Sequence, residues 1–211
     1  MSDAETVKTI AKNCFTDAVE ALSIIEVLEA ANGNGVLKSL NDAKAGNAAA
    51  HIQRALFTRM HIIISRHFLP ARKDDLTATR AFELMKDEKV KAAVATDAAN
   101  MTKAEAEWKA CNADASLESY IHLRHKFLAH LAEPKPGVPV PMYKEVLDIA
   151  RNAAKCFGTL AKAVGIALQQ RHSRLRHRQA LAAYGRLFRD VRSGLRIRSA
   201  CGLSVVEGEA E

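Results

Sequence analysis

Closely spaced cysteines are absent from the sequence, because the four cysteines present lie far apart along the chain. This spacing fits neither a disulfide framework nor a zinc site, and it indicates a reducing compartment. The N-terminal residues are acidic and contain no apolar segment of the kind that a signal peptide needs. The longest apolar runs are too short to cross a bilayer. These absences predict a cytoplasmic protein without a transmembrane segment.

Aromatic residues are also scarce, at 5% of the chain, and runs of valine, threonine and tyrosine that favour strands are missing. Alanine is abundant, and leucine, lysine and glutamate join it in favouring helix. The sequence has no glycine-rich phosphate loop, no Gly-x-Ser-x-Gly and no paired-carboxylate signature, so nothing in it indicates a nucleotide cofactor or a serine hydrolase. We therefore predict an all-α protein that uses no cofactor.

Helical periodicity runs through the first 170 residues. A first helix begins at Ser2, which has capping-box spacing to Glu5, and ends at Asn32-Gly33-Asn34-Gly35. A second helix carries an apolar stripe that starts at Ile52 and ends before Pro70. Thr102 and Glu105 again have capping-box spacing and predict a later helix start. These segments predict a bundle of four to five helices, residues 1–170, as one domain.

A basic region follows this predicted bundle. The net charge of the chain is +7, and residues 171–211 contribute +5 of it, with nine arginines against four acidic residues. Apolar residues recur there at helical spacing, which predicts a basic amphipathic helical extension before an acidic flexible tail. Such a helix can bind phosphates, an anionic membrane or a partner protein, or it can be a solvated extension. The arginines that we expect to contact nucleic acid are Arg171, Arg174, Arg178, Arg186 and Arg189.

The most distinctive chemical pattern is Arg124 and His130 on one helix, separated by five residues. His125 is the polar residue that follows Arg124, and Phe127-Leu128-Ala129 leads into His130. Because Pro134 ends the helix shortly after His130, this imidazole lies near a helix C-terminus, where the dipole favours protonation. A spacing of four to six intervening residues is weak evidence alone, because Arg54–His61 and Arg171–His177 satisfy it too. The context of Arg124 makes that match the more specific one.

The string from Leu123 to His130 resembles the active-site motif of the HEPN superfamily, and it is especially similar to the abortive-infection, AbiU-like branch. The resemblance covers roughly residues 1–170. It implies metal-independent cleavage of RNA in a site that two protomers build together, and hence a homodimer. It also implies a role in phage defence or as the toxin of a toxin–antitoxin system. An antitoxin protein would then be a further partner, although no residue of this chain indicates one.

The resemblance assigns roles to three residues. His130 would transfer protons, Arg124 would bind the phosphate and stabilise the charge that develops on it, and His125 would position these groups. RNA cleavage of this kind needs a base for the ribose 2′-hydroxyl, an acid for the departing 5′-oxygen and a fixed cation. A two-fold axis beside the helix would supply the second imidazole. The products would be a 2′,3′-cyclic phosphate and a 5′-hydroxyl.

Other interpretations remain open at this point. Arg124 could pair with Glu118 or Asp114, and His130 could cap helix carbonyls. His122 and His125 have a spacing that can chelate a metal, but no acidic residue or cysteine is in register with them, so we predict no metal site. The remaining histidines of the second helix, His51, His61 and His67, are interpreted as structural. The chain could also be a nucleic-acid-binding protein without catalysis, or a helical protein-interaction module.

Overall fold

The computed structural model describes residues 1–124 and 139–166, and these residues fold into eight α-helices and one 3-10 turn without a strand. The α-helices in chain order are α1 Asp3–Ala31, α2 Asn34–Asp42, α3 Gly46–Ser65, α4 Ala78–Leu84, α5 Glu88–Val94, α6 Ala98–Asn112, α7 Leu117–Leu123 and α8 Tyr143–Ala163. The 3-10 turn, Arg66–Phe68, directly follows α3. The all-α prediction is confirmed, and the predicted four to five helices are too few because several segments are short.

Helix α1 begins where the sequence predicted. The backbone N–H of Glu5 donates to Ser2 Oγ over 3.3 Å, and the backbone N–H of Ser2 donates to Glu5 Oε2 over 2.8 Å. This reciprocal pair satisfies two N–H groups that have no partner within the helix. The helix ends before Asn32, also as predicted. The Ser2–Glu5 capping box therefore fixes the start of α1, and backbone hydrogen bonds of Asn32 close its end.

Two other helix boundaries differ from the prediction. Helix α6 begins at Ala98, because Asp97 caps it by accepting a hydrogen bond from the Asn100 N–H over 2.9 Å. Thr102 lies one turn inside this helix and donates to the Ala98 carbonyl, so the predicted start at Thr102 is wrong. Helix α3 begins at Gly46 rather than near Ile52, and the short α2 occupies the segment expected to be a loop.

The core lies where α1 and α8 pack against each other, with α3 and α6 on either side of them. Alanines with no solvent exposure occupy this contact on both main helices: Ala11, Ala21, Ala150 and Ala153. Small side chains allow helix axes to approach closely, so the high alanine content contributes to packing as well as to helix propensity. The short α7 contacts α3 through the rings of Tyr120 and His61, and the candidate site lies beside this contact.

Candidate functional site

Arg124 directly follows α7 and keeps helical backbone angles, φ −60° and ψ −50°. Its side chain is half-buried. Within residues 1–124 and 139–166 the guanidinium makes no ion pair, and neither of the two carboxylates considered from the sequence binds it. Asp114 instead accepts the Ser116 N–H over 2.8 Å, and Glu118 is exposed. In the described part of the chain, Arg124 is thus a cation without a carboxylate partner.

His61, on α3, is the titratable side chain that faces Arg124. Its imidazole is fully buried, and its ring centroid lies 4.1 Å from that of Tyr120, one turn before Arg124 on α7. Burial and the nearby charge of Arg124 lower the pKa of His61 to about 4, against an opposing effect of the Tyr120 carbonyl. The imidazole is therefore neutral at physiological pH, so it neither repels the Arg124 guanidinium nor neutralises its charge.

The side-chain polar atoms of His61 and Tyr120 lack hydrogen-bond partners within residues 1–124 and 139–166. Neither Nδ1 nor Nε2 of His61 makes a hydrogen bond of good geometry to any described residue, and the same holds for the Tyr120 hydroxyl. Leaving a buried polar group unsatisfied costs about 1–3 kcal/mol. Proteins satisfy nearly all such groups, so three unsatisfied atoms in one place are unusual. His61 and Tyr120 therefore differ from the other buried histidine, His67, whose ring nitrogens both have partners.

The sequence did not single out His61 or Tyr120 as functional residues. His61 was interpreted as structural, and the structure buries both His61 and Tyr120 completely. The signal that could have identified His61 was its spacing from Arg54, which also matches the arginine–histidine pattern. The spacing alone could not identify His61 as a site residue, because its contact with Tyr120 joins segments almost sixty residues apart in the chain.

The other predicted site residues lie outside the described residues. This applies to His125 and His130, and to the arginines of the basic region, Arg171, Arg174, Arg178, Arg186 and Arg189. Their roles stay predictions. Of the predicted catalytic set, the structure places Arg124 alone.

His67 forms a second buried cluster, which resembles a catalytic constellation but is closed to solvent. Its Nε2 lies 2.7 Å from Asp17 Oδ2, and Cys14 Sγ lies 3.6 Å from its Nδ1. The Ala78 N–H donates to Nδ1 over 3.2 Å, which leaves the ring proton on Nε2 to donate to Asp17. Burial raises the pKa of the Cys14 thiol, so it is not a thiolate nucleophile. This cluster is structural.

Asp17 is the charged member of this second cluster. Burial raises the pKa of its carboxyl, but hydrogen bonds and charge from His67 and Arg66 outweigh burial and hold the pKa below its ordinary value. Arg66 also donates a hydrogen bond to Asp17. Because burial dominates at His67, the pKa of its imidazole is lowered and the ring is neutral at physiological pH. The ionic pair is therefore Asp17 with Arg66, and His67 is a neutral donor to it.

The described residues contain neither a metal-binding cluster nor a membrane-spanning helix. Within residues 1–124 and 139–166, no three side chains of histidine, cysteine, aspartate or glutamate are grouped so that they could hold a metal ion. None of the helices in this part of the chain combines the length and the apolar character that crossing a membrane requires.

Comparison with known families gives one match. The model of the family described as AbiU2, a HEPN family, matches residues 5–164, about three quarters of the chain. The chain belongs to the HEPN AbiU2 family. The resemblance to the AbiU-like branch that the Arg124–His130 string indicated is thereby confirmed. No curated protein and no solved structure matched the chain.

The match to the HEPN AbiU2 family includes the whole string from Leu123 to His130, together with His61 and Tyr120. It ends before the nine arginines of residues 171–198. The family match therefore covers the predicted site residues Arg124, His125 and His130, and it does not include the basic region.

Proposed function

We propose that this HEPN AbiU2 protein is a metal-independent endoribonuclease that acts in the cytoplasm as an abortive-infection or toxin–antitoxin effector. The observation that carries the proposal is the state of Arg124. It is half-buried, it has no carboxylate partner in the described part of the chain, and it borders a buried neutral imidazole. A guanidinium held in this way is available to a phosphate. The family match over residues 5–164 supports the same assignment.

In the proposed reaction, the ribose 2′-oxygen forms a bond to phosphorus while the bond from phosphorus to the 5′-oxygen breaks. One imidazole takes the proton of the 2′-hydroxyl, and a second gives a proton to the departing 5′-oxygen. We assign these roles to His130 of the two protomers of a homodimer, with Arg124 beside the phosphate and His125 as a positioning residue. The products are a 2′,3′-cyclic phosphate and a 5′-hydroxyl.

His61 does not fit either proton-transfer role. With a pKa of about 4 and no solvent exposure, its imidazole is neutral at physiological pH and is far from the optimum for exchanging a proton there. A neutral side chain beside Arg124 leaves the charge of the guanidinium free for an anion, whereas a carboxylate in the same place would neutralise it. We therefore assign His61 a positioning role in this site.

Cleavage of bulk cellular RNA in the presence of a chelator tests the proposal. We expect the purified protein to produce fragments that end in 2′,3′-cyclic phosphate, and Arg124→Ala and His130→Ala each to lower the rate roughly 10²- to 10³-fold. Arg72→Ala is the matched control, because Arg72 is exposed in the linker before α4 and should leave the rate unchanged. Equal fragmentation by all four proteins, or none by the wild type, would contradict the proposal.

A site built by two protomers also predicts that the rate of RNA cleavage depends on dimer formation. Because one protomer supplies a single His130, activity per mole of protein should rise with the fraction of dimer measured by sedimentation. A strictly monomeric protein that still cleaves RNA would remove the two-protomer site and leave the assignment of Arg124 to be tested alone.

The basic region supports a second candidate function, binding of nucleic acid without catalysis. The observation that supports this candidate is the charge distribution, because residues 171–211 contribute +5 of the net charge of +7. Under this alternative, truncation after Gln170 abolishes RNA binding while His130→Ala has no effect on any activity. The same truncation tests the predicted division of the chain into a domain of residues 1–170 and an extension of residues 171–211.

A further inference from the structure

A groove of about 470 Å³ runs beside the candidate site, between the C-terminal end of α1, the middle of α3 and the start of α8. We call it the α3–α8 groove, and its lining includes Asn32, Gln53, Arg54, Phe57 and Tyr143. The rings of Phe57 and Tyr143 are stacked in it, with centroids 5.5 Å apart and planes 21° apart. Tyr143 is 42% exposed, so a planar ligand can reach its ring.

The charge of the α3–α8 groove favours an anionic ligand. Arg54 is exposed and makes no ion pair with any residue in the described part of the chain, and no acidic residue lines the groove. Glu29, whose charge acts on the groove residue Tyr143, is paired with Arg151. An unpaired guanidinium next to an exposed aromatic ring is the combination that binds a phosphate and a stacked base together.

Hydrogen-bonding groups complete the lining. The Asn32 amide donates to the Tyr143 hydroxyl over 3.3 Å, which fixes one edge of the exposed ring. Gln53 is half-buried in the groove, and its amide offers both a donor and an acceptor. Base edges present matching groups, whereas an apolar peptide segment would leave the Gln53 amide unsatisfied.

The groove leads toward Arg124 along one face of α3. Arg54, Phe57 and His61 are spaced by three and four residues, so they share that face over two turns, about 10 Å. The rings of Phe57 and His61 have centroids 6.4 Å apart, and His61 in turn contacts Tyr120 before Arg124. A chain of aromatic and imidazole rings therefore connects the exposed Tyr143 to the candidate phosphate-binding cation.

We infer that the α3–α8 groove binds a nucleotide of single-stranded RNA that neighbours the scissile phosphate, with its base stacked on Tyr143 and its phosphate on Arg54. The inference rests on the proposed function, because it takes Arg124 to mark the scissile phosphate. It assigns the chain a preference for unpaired RNA, since a base inside a duplex has no free face to stack on the tyrosine ring. It also places substrate contacts within the matched family region rather than in the basic extension.

Fluorescence anisotropy with the full-length protein and a short single-stranded RNA tests the inference. Every 2′-hydroxyl of this RNA is 2′-O-methylated, so binding is measured without cleavage. Tyr143→Leu should weaken binding roughly tenfold or more, within the range for loss of one stacked base, and should leave the salt dependence unchanged. Tyr143→Phe keeps the ring and should bind like the wild type.

Arg54→Gln provides the second arm of the experiment, with a different signature. Loss of one phosphate contact should lower the slope of log affinity against log salt concentration by about 0.7, as expected for single strands. Arg72→Gln changes the net charge equally at an exposed position remote in sequence, and it should leave the slope as in the wild type. Circular dichroism of each variant verifies the helical fold before binding is compared.

The outcomes separate this inference from the proposed function. Wild-type affinity and salt slope in both Tyr143→Leu and Arg54→Gln would overturn the groove assignment while leaving cleavage by Arg124 intact. A wild-type protein that binds through Tyr143 but never cleaves RNA would support the groove and remove the nuclease. An equal loss of affinity for fully double-stranded RNA in Tyr143→Leu, or a loss of the dimer with RNA binding unchanged, would also overturn the groove assignment.

Discussion

His61 lies on α3 and His67 in the 3-10 turn that follows it, six residues later; both have no solvent exposure, yet their surroundings are opposite. Both ring nitrogens of His67 have partners, because Nε2 faces Asp17 and Nδ1 accepts the Ala78 N–H. Neither nitrogen of His61 makes a hydrogen bond of good geometry to a described residue, and the charge that affects its pKa is that of Arg124. Burial alone thus does not distinguish these two histidines, whereas hydrogen bonding within the described residues does.

The largest effect expected from this comparison is on the His67 side. Asp17→Ala removes the acceptor of His67 and the ion-pair partner of Arg66, and we expect it to lower the free energy of unfolding by about 3 kcal/mol. This is the low end for breaking a buried pair, because the Arg66 side chain is 43% exposed and can be solvated. Urea denaturation measures the change.

Asp17→Asn is the matched control for this substitution. It keeps an oxygen acceptor for His67 but loses the charge that attracts Arg66, so roughly 1 kcal/mol should be lost. If Asp17→Ala and Asp17→Asn were both as stable as the wild type, the His67 cluster would not be the structural element described here, and its contrast with His61 would disappear.

A smaller effect is expected in the pH dependence of stability, on the His61 side. The folded-state pKa of His61, about 4, lies below its ordinary value of 6.5, so between these values the unfolded chain binds more protons. Stability therefore falls as pH falls below 6.5, by about 2 kcal/mol at pH 5 from the 1.36 kcal/mol per pKa unit. The lowered pKa of His67 acts in the same direction.

His61→Phe isolates the contribution of His61 to this pH dependence. The substitution removes an unsatisfied polar ring, so at pH 8 we expect a stability within roughly 1 kcal/mol of the wild type, and a shallower loss toward pH 4. Urea denaturation at several pH values measures both. The same slope in the variant as in the wild type would show that His61 is not held neutral by its surroundings.

The sequence predicted what depends on local chemistry. The Ser2–Glu5 capping box, the end of α1 at Asn32 and the helical class all follow from interactions within a few residues of the chain. The start of α6 could not be decided in this way, because Asp97 and Thr102 both precede suitable residues and Asp97 is the one that caps the helix. The short α2 was missed because Gly33 precedes it, Gly35 lies in its first turn, and Leu40 is its only buried hydrophobic residue.

The candidate site was predictable only in part, for a physical reason. Arg124 was identified from the spacing and composition of one helix, and in the described part of the chain its guanidinium has no carboxylate partner. The pair of His61 and Tyr120, and the stack of Phe57 on Tyr143, join residues far apart in the sequence, which no local pattern encodes. Tertiary packing of α3 against the starts and ends of other helices creates them.

The account rests on Arg124 binding the phosphate at which RNA is cut. The most direct measurement is sequencing of RNA ends after expression of the wild type, Arg124→Ala and the exposed control Arg72→Ala in the same cells. We predict that new 2′,3′-cyclic phosphate and 5′-hydroxyl ends accumulate with the wild type and Arg72→Ala, and that Arg124→Ala reduces them roughly 10²-fold or more. The same ends at the same abundance in all three would contradict the account.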